Sequence, residues 1–305
     1  MLERFSEKKI LVLGAGGQVG EALKLELGSR AILVGPDILD LSKPLELRSR
    51  ILSMKPEVVI NAAAYTQVDQ AEKEEELVSL INAHAPLEIA KACYELGASF
   101  LTYSTDYVYS GGGLKPWVEE DPVAPLNAYG RSKALGEKLL VEWAPRDFRY
   151  LILRTSWVYS YLGRNFVLTM LKLGAERAEL KVVNDQIGAP TYAPDLAAAS
   201  IALIEKLHDK SALSGIYNCA NGGETSWFEF AQEIFSCAQR HGLALKIQKV
   251  LGIQSSEYPT PARRPLNSRL NQTKIFEKCG LKLPHWKLGL EQCIGQIVNS
   301  KGVAK

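Results

Sequence analysis

The sequence predicts an α/β fold in which helices cover both faces of a doubly wound parallel sheet, followed by a smaller C-terminal lobe. Short, almost fully apolar runs alternate with longer segments of helical periodicity, which is typical of parallel strands joined by helices. A glycine-rich turn directly follows the first apolar run. The smaller lobe is predicted because the last third of the chain loses this alternation and carries repeated prolines.

The predicted elements follow in chain order. Strands are predicted at the apolar runs 10–13, 31–34, 58–60, 99–103 and 150–153, the first of them buried. Helical periodicity predicts helices at 21–27, 45–54, 77–96, 129–143 and 227–241, the third kinked or restarted at Pro86. The first domain is expected to span 1–157 with 180–220 returning to it, and the smaller lobe 158–179 with 221–305.

Composition excludes several function classes. The 305 residues include 36 basic and 34 acidic side chains, a net charge of +2, so there is no electrostatic footprint for nucleic acid. Neither a signal peptide nor a span of about 20 apolar residues is present, so we expect a cytoplasmic protein without a membrane partner. The five cysteines show no Cys-x-x-Cys spacing and the four histidines no ligand spacing, which favours buried, reduced thiols over disulfides or a metal site.

The glycine-rich turn contains Gly14, Gly17 and Gly20 between a predicted strand and a predicted helix. Glycines allow a tight turn and a close backbone approach, and the helix N-terminus then offers free N–H groups to a pyrophosphate. This context predicts a Rossmann-type dinucleotide site.

The end of the second predicted strand bears on the choice of dinucleotide. Gly35 and Pro36 stand where an acidic residue would accept the ribose 2′-hydroxyl and repel a 2′-phosphate. No arginine replaces that acid, and Asp37 lies close by. The sequence favours NADPH and leaves NADH open.

Tyr129 and Lys133 lie one helical turn apart, so a helix that starts near Asn127 places both on one face. A nearby cation lowers a tyrosine pKa, which is about 10 without such a partner. The pair therefore has the chemistry of a proton donor or acceptor.

Several longer motifs accompany this pair. The chain resembles the extended short-chain dehydrogenase/reductase superfamily and, within it, the dTDP-4-dehydrorhamnose reductases. The resemblance covers roughly residues 8 to 270 and rests on the segments 14–20, 61–66, 104–109, 125–130, 154–159 and 184–191.

The resemblance implies an NAD(P)H-dependent reduction of the 4-keto group of dTDP-4-dehydro-β-L-rhamnose to dTDP-β-L-rhamnose. Tyr129 would donate the proton, and Lys133 would hold the nicotinamide ribose and lower the tyrosine pKa. Thr105 would hydrogen-bond the keto oxygen, while Asp106 and Trp157 would contact the sugar.

The resemblance also implies cofactor contacts along the chain. Gly14, Gly17, Gln18, Val19 and Gly20 would line the pyrophosphate. Asp40 and Leu41 would contact the adenine. The middle of the cofactor would meet Ala64, Tyr65, Thr66 and Tyr103. Arg263 and Arg264 are either a grip for the substrate's phosphates or a solvated basic turn.

One departure concerns metal. Some members of the family dimerise through magnesium held by glutamates, but Ala22 and Pro194 stand at those positions here. Magnesium is therefore doubtful, and the chain is expected to be a monomer or a homodimer. The acidic run at 72–76 is interpreted as a solvated helix start.

Two alternatives remain open. A nucleotide-sugar epimerase or dehydratase would share the fold and the Tyr129/Lys133 pair but need no net reductant. A non-catalytic NADP-binding regulatory subunit would act through a partner enzyme. Trp227 and Trp286 are interpreted as packing residues.

Overall fold

A computed structural model describes residues 9–209 and 211–302 of the chain. The strands are β1 Ile10–Leu13, β2 Ala31–Val34, β3 Val58–Asn61, β4 Ser99–Thr105, β5 Tyr150–Thr155, β6 Val158–Tyr159, β7 Glu179–Val183, β8 Ile187–Gly188, β9 Thr191–Tyr192, β10 Gly215–Asn218, β11 Thr225–Ser226, β12 Lys249–Ile253 and β13 Asn267–Ser268. The helices are α1 Gln18–Leu27, α2 Pro44–Met54, α3 Val68–Ala71, α4 Glu75–Ser79, α5 Ala85–Glu95, α6 Ala128–Trp143, α7 Phe166–Glu176, α8 Ala193–Asp209, α9 Trp227–Arg240, α10 Thr273–Cys279 and α11 Trp286–Gly302.

The main sheet has six parallel strands in the order β10-β5-β4-β3-β1-β2. All five predicted strands belong to it, and the predicted fold class is confirmed. The chain leaves β1 for β2 on one side and returns to β3 on the other. A crevice therefore opens beside β1 at the carboxyl ends of the strands, where ligands of such sheets bind.

Alternate residues of β1 face opposite layers of helices. Ile10 and Val12 join a core with α1 and α8, whereas Leu11 and Leu13 join one with α2 and α5. All four side chains are at most 1% exposed, which explains why the strand is apolar without alternation.

The smaller lobe has its own apolar core around α7, α9 and α11. Strand β7 pairs with β12, and β8 lies between β11 and β13, all outside the main sheet. The chain rejoins the main sheet through α8, which packs on α1, and through β10. The domain boundaries stay a prediction, and this pairing favours a return near Ala193 rather than at residue 180.

The predicted helix 77–96 is divided. A π-helical segment, Leu80–His84, separates α4 from α5, and Pro86 stands in the first turn of α5. Asn82 lies in this segment, only 2% exposed. Its amide Nδ2 donates to the Tyr65 carbonyl and to Ser132 Oγ of α6, both at 3.0 Å. The irregular turn thus ties the end of β3 to α6.

The start of α6 is fixed by its cap. The Asn127 side chain accepts a hydrogen bond from Gly130 N at 2.8 Å and donates Nδ2 to the Arg263 carbonyl at 2.8 Å. A Cβ on Gly130 would lie 2.3 Å from the Tyr107 carbonyl oxygen. Only glycine lets α6 approach the end of β4 this closely, which brings Tyr129 beside Thr105.

Candidate active site

A cavity of about 810 Å³ follows the carboxyl edge of the main sheet, from the glycine loop to the smaller lobe. It brings together fourteen of the sixteen residues that the sequence predicted for the site. These are Gly14, Gly17, Gln18, Val19, Asp40, Leu41, Ala64, Thr66, Tyr103, Thr105, Asp106, Tyr129, Lys133 and Trp157.

The glycine loop forms one end of this cavity. Helix α1 begins at Gln18 after the N-cap Gly17, and no side chain caps this end. Its first N–H groups are therefore free to bind an anion. Gly14 has φ +80°, and a Cβ there would lie 2.6 Å from Ala63 N. Glycine is thus required at this position by both conformation and space.

Gly20 does not line the cavity. A Cβ at Gly20 would lie 2.1 Å from the Gly14 carbonyl oxygen, so this glycine lets α1 pack against the loop. That Gly20 contacts the cofactor stays a prediction, and in this structure Gly20 shapes the loop.

Tyr65 also lies outside the cavity lining. Its hydroxyl donates to Glu74 Oε2 at 2.6 Å, and this bond raises the pKa of Tyr65 to about 12. Its backbone is held from the other side, because Tyr65 N donates to Asn82 Oδ1 at 2.9 Å. The Tyr65 side chain is therefore turned away from the cavity, while Asn82 fixes the main chain that places Ala64 and Thr66 there.

Thr105 lies at the centre of the reactive end. Its hydroxyl accepts from Tyr107 N at 3.2 Å, donates to Asp106 Oδ1 at 3.1 Å and interacts with the Tyr129 phenol. Burial raises the pKa of Tyr129 to about 12, and Thr105 acts in the opposite direction. The expected lowering of the Tyr129 pKa by Lys133 is wrong for this structure. A protonated phenol can only give a proton, which suits a reduction.

Lys133 is 6% exposed, and its Nζ donates to the Tyr103 carbonyl at 2.8 Å. Burial lowers the pKa of Lys133 to about 8, and Glu137, one turn further along α6, acts in the opposite direction. The ammonium therefore lies against the main chain of β4 at Tyr103. The Tyr103 hydroxyl, on the other side of β4, pairs with Ser200 Oγ at 2.7 Å.

Two tryptophans form the wall at the smaller lobe. Trp157 and Trp227 stack with ring centroids 3.6 Å apart and planes at 15°. Trp157 has φ +48°, an uncommon conformation for a bulky residue and one that clusters at functional sites. The interpretation of Trp227 as a packing residue missed this position. Ser226 and Glu229 form a capping box that starts α9 at Trp227, and that signal was readable in the sequence.

Replacing Gly188 by alanine is expected to displace Trp157. The new Cβ would lie 2.9 Å from Trp157 Cε2 and 3.0 Å from Ser268 Cβ. Such overpacking costs about 1–3 kcal/mol, and the tryptophan fluorescence should change as the stacked rings separate. Gly112→Ala is the control, because no heavy atom lies within 4 Å of a Cβ there. Equal spectra and stabilities for the two variants would contradict this account of the wall.

A second cavity of about 1380 Å³ adjoins the first and shares Tyr107 and Trp227 with it. Arg263 and Arg264 line this second cavity. Arg264 Nη2 donates to Asp69 Oδ2 at 2.7 Å, and Asp69 Oδ1 accepts from Ala262 N at 3.1 Å. The basic turn is therefore anchored to the sheet domain and is not a loosely solvated loop.

One trio of metal-ligating side chains, Cys237, His241 and Glu291, occurs in the described part of the chain, within the smaller lobe. Its carboxylate accepts from Cys237 Sγ at 3.1 Å and pairs with His241 Nε2 at 2.8 Å. The Arg240 guanidinium donates to the same carboxylate at 3.0 Å, so a cation already neutralises it.

The acidic run at 72–76 also makes a hydrogen bond within the protein, since Glu72 accepts from Ala128 N at 2.7 Å.

Buried polar atoms without partners concentrate in the cavity. Across the described residues, five buried side-chain atoms lack a hydrogen bond. Three of them, Ser104 Oγ, Asp106 Oδ2 and Thr155 Oγ1, belong to residues that line the first cavity. Since buried polar groups are normally satisfied, these atoms indicate a polar ligand. With the free N–H groups of α1, they fit a dinucleotide and a polar substrate.

The fold and this cavity define the protein as a nicotinamide-dependent oxidoreductase of the extended short-chain dehydrogenase/reductase class. The chain matches the family model described as RmlD substrate binding domain over residues 8–299. It is 41% identical to dTDP-4-dehydrorhamnose reductase of Escherichia coli strain K12 over 300 residues, which covers 96% of this chain and 99% of the relative. It belongs to the dTDP-4-dehydrorhamnose reductase family, as the motifs predicted.

Two solved structures agree with this assignment. A dTDP-4-dehydrorhamnose reductase from Bacillus anthracis strain Ames, in complex with NADP, superposes with a TM-score of 0.87 at 37% identity and covers 95% of this chain and 99% of its own. A dTDP-4-dehydrorhamnose reductase from Clostridium acetobutylicum also gives a TM-score of 0.87, at 36% identity, covering 94% of this chain and 99% of that one.

The five cysteines are all buried and unpaired, as predicted. Among the helices of the described residues, none combines the length and the apolar character that a membrane crossing requires.

Proposed function

We propose that the protein reduces the 4-keto group of dTDP-4-dehydro-β-L-rhamnose with NADPH, giving dTDP-β-L-rhamnose. The observation that carries this proposal is that Thr105, Tyr129 and Lys133 line the same cavity as the glycine loop. A hydride source and a proton source are then within one site.

Bound NADPH supplies a hydride, and the protein supplies position and the proton. Hydride addition to a ketone builds negative charge on its oxygen. Two hydroxyl donors, from Tyr129 and Thr105, stabilise that charge, and Tyr129 then gives its proton to the oxygen. The raised pKa of Tyr129, about 12, keeps the phenol protonated until that step.

The cofactor would lie along the first cavity. Its pyrophosphate would lie at the N-terminus of α1, at Gly17, Gln18 and Val19, and its adenine near Asp40 and Leu41. Lys133 would hold the nicotinamide ribose. The Asp40 carboxylate already accepts hydrogen bonds from Ser42 N at 3.0 Å and Ser42 Oγ at 2.7 Å. Its side chain is therefore held in one position at the side of the cavity.

The substrate would lie between the two cavities. Its sugar would contact Asp106 and Trp157, and the Trp157–Trp227 stack would close the side toward the smaller lobe. The larger second cavity has room for the nucleotide, and Arg263 offers a guanidinium group to its two phosphates, while Arg264, which pairs with Asp69, would bind them through its remaining N–H groups. Trp227 lines both cavities and so would contact the substrate where they meet.

The test is turnover by the purified protein with NADPH, or NADH, and the keto-sugar nucleotide. We expect loss of reduced-nicotinamide absorbance and one dTDP-β-L-rhamnose per cofactor oxidised, with NADPH preferred. An isomerised sugar without cofactor consumption would show an epimerase instead. No turnover with either cofactor would end the proposal and favour a non-catalytic role.

The proposal includes a cytoplasmic location and a monomer or homodimer that needs no magnesium. Five buried, unpaired thiols are consistent with a reducing compartment. The positions expected for the magnesium-binding glutamates, Ala22 and Pro194, line a small hollow in which Glu26 supplies a single carboxylate. Unchanged mass by light scattering and unchanged activity after chelator treatment are expected. A chelator-dependent loss of either would contradict this part.

A further inference from the structure

The Thr105 hydroxyl has more potential hydrogen-bond partners than it can bind at the same time. It has one proton and two lone pairs. It accepts from Tyr107 N at 3.2 Å, lies 3.1 Å from Asp106 Oδ1 and interacts with the Tyr129 phenol. Its single proton can therefore point to Asp106 or into the cavity.

The Asp106 carboxyl is buried at this position. It is 1% exposed, and its Oδ2 has no hydrogen-bond partner. Burial raises the pKa of Asp106 to about 7, and the hydroxyls of Ser268 and Thr105 act in the opposite direction. A carboxylate at this site can accept protons from the hydroxyls of Ser268 and Thr105, whereas a neutral carboxylic acid has one proton of its own, which it can donate to Thr105 Oγ1.

We propose that the neutral acid form of Asp106 is a positioning group that turns the Thr105 hydroxyl toward the cavity, where it donates to the keto oxygen of the substrate. In the ionised form Thr105 donates to Asp106 instead, and the keto oxygen loses one of its two donors. Asp106 keeps its proton through the reaction and exchanges none with the substrate. The inference deepens the proposed function and rests on it.

The hydrogen-bonding capacity of the Thr105 hydroxyl is filled in both ionisation states of Asp106. With neutral Asp106, the two lone pairs accept from Tyr107 N and from the carboxylic acid, and the proton remains for the substrate. With ionised Asp106, the proton goes to the carboxylate, and the lone pairs accept from Tyr107 N and the Tyr129 phenol.

The charged and titratable groups around Asp106 are few. Tyr107 and Tyr129 lie beside it. Arg264 and Asp69 act on the Tyr107 hydroxyl, and they pair with each other at 2.7 Å, which limits the positive field that reaches Asp106. Lys133, on α6, is held at the Tyr103 carbonyl, and burial lowers its pKa to about 8, so the comparison with Asp106→Asn, which keeps Lys133, separates the two titrations.

The first experiment compares kcat against pH for the unaltered enzyme, Asp106→Asn and Asp106→Ala. The kcat of the unaltered enzyme should fall about tenfold as pH rises through about 7. A tenfold fall corresponds to the loss of one hydrogen bond. Asparagine can donate Nδ2–H to Thr105 at every pH, so Asp106→Asn should lack that fall. Asp106→Ala should be about tenfold slower below pH 7 and approach the unaltered enzyme above it. Parallel profiles for all three would overturn the inference.

The second experiment measures ionisation without turnover, as the thermal unfolding midpoint against pH. A folded-state pKa of about 7 lies above the ordinary value of 3.8, so the folded state binds more protons between these two pH values. Stability due to this group is then present at low pH and is lost as pH rises to about 7. The midpoint of Asp106→Asn minus that of the unaltered protein should increase over this window and level off above it.

Asp147→Asn, an exposed aspartate, is the matched control and should track the unaltered protein. A constant difference between Asp106→Asn and the unaltered protein would overturn the inference. If the unaltered enzyme shows no turnover, the proposed function is wrong. If it turns over and Asp106→Asn has the same pH profile, only the role of Asp106 is wrong.

Discussion

Replacing Tyr129 by phenylalanine is expected to lower kcat by about 10²–10⁴-fold, the usual contribution of a positioned proton donor. The variant keeps the ring but loses the proton that neutralises the new alkoxide. The cavity shape should persist, because the Tyr129 ring packs edge-on against Tyr107 with centroids 5.6 Å apart. NADPH affinity should therefore stay close to that of the unaltered enzyme, which a fluorescence titration measures.

Tyr94→Phe is the control for this variant. It also removes one tyrosine hydroxyl, but that hydroxyl lies on the surface and donates to Asp147 at 3.3 Å. Its kcat should be unchanged. A Tyr129→Phe enzyme that keeps more than about a tenth of the rate would contradict the role of Tyr129 as proton donor, because water would then be donating the proton.

Replacing Arg154 by methionine is expected to destabilise the protein by about 3–5 kcal/mol, since it leaves a buried charge without its partner. Arg154 is 2% exposed and binds Glu137 twice, Nε to Oε1 at 2.9 Å and Nη2 to Oε2 at 2.6 Å. Its Nη1 donates to the Tyr109 hydroxyl at 2.7 Å. Urea unfolding measures the loss.

The double variant Arg154→Met, Glu137→Leu should recover part of this stability, because it removes the stranded carboxylate as well. Arg48→Met is the surface control. Its partner Glu95 is 38% exposed, so that loss should stay below about 1 kcal/mol. A loss for Arg154→Met as small as that of the control would contradict a structural role for the buried pair.

This ion pair also reaches the active site. Glu137 stands one turn after Lys133 on α6 and opposes the downward shift of the Lys133 pKa. Arg154 binds both oxygens of the Glu137 carboxylate and so fixes its position. The same side chains thus stabilise the sheet and set the electrostatic surroundings of Lys133.

Much of the fold followed from local patterns in the sequence. Four of the five predicted strands were readable because they are almost fully buried and largely apolar, and the edge strand β2 was readable from its apolar run although Ile32 is 39% exposed. Strand β10 was not predicted, since it has only Ile216 and Tyr217 as apolar residues and takes its place by pairing with β5. The division of the predicted helix 77–96 depends on the contacts of Asn82 with Tyr65 and Ser132, which join distant parts of the chain.

The candidate site was predictable where a motif fixes the main chain. The glycine loop and the spacing of Tyr129 and Lys133 are examples. Side-chain direction was not predictable, because Tyr65 turns toward Glu74 only when α3 and α4 fold beside it. The pKa of Tyr129 rises because of burial, which a sequence does not display. Trp227 joins the site through its stack with Trp157, a contact between residues seventy positions apart.

The most direct test of the central claim uses NADPH labelled with deuterium at the transferable position of the nicotinamide. After turnover with dTDP-4-dehydro-β-L-rhamnose, NMR should find deuterium on C4 of dTDP-β-L-rhamnose, in amounts equal to the NADP⁺ formed. Product that lacks deuterium at C4, or an isomerised sugar with the NADPH intact, would contradict hydride transfer to the 4-keto carbon.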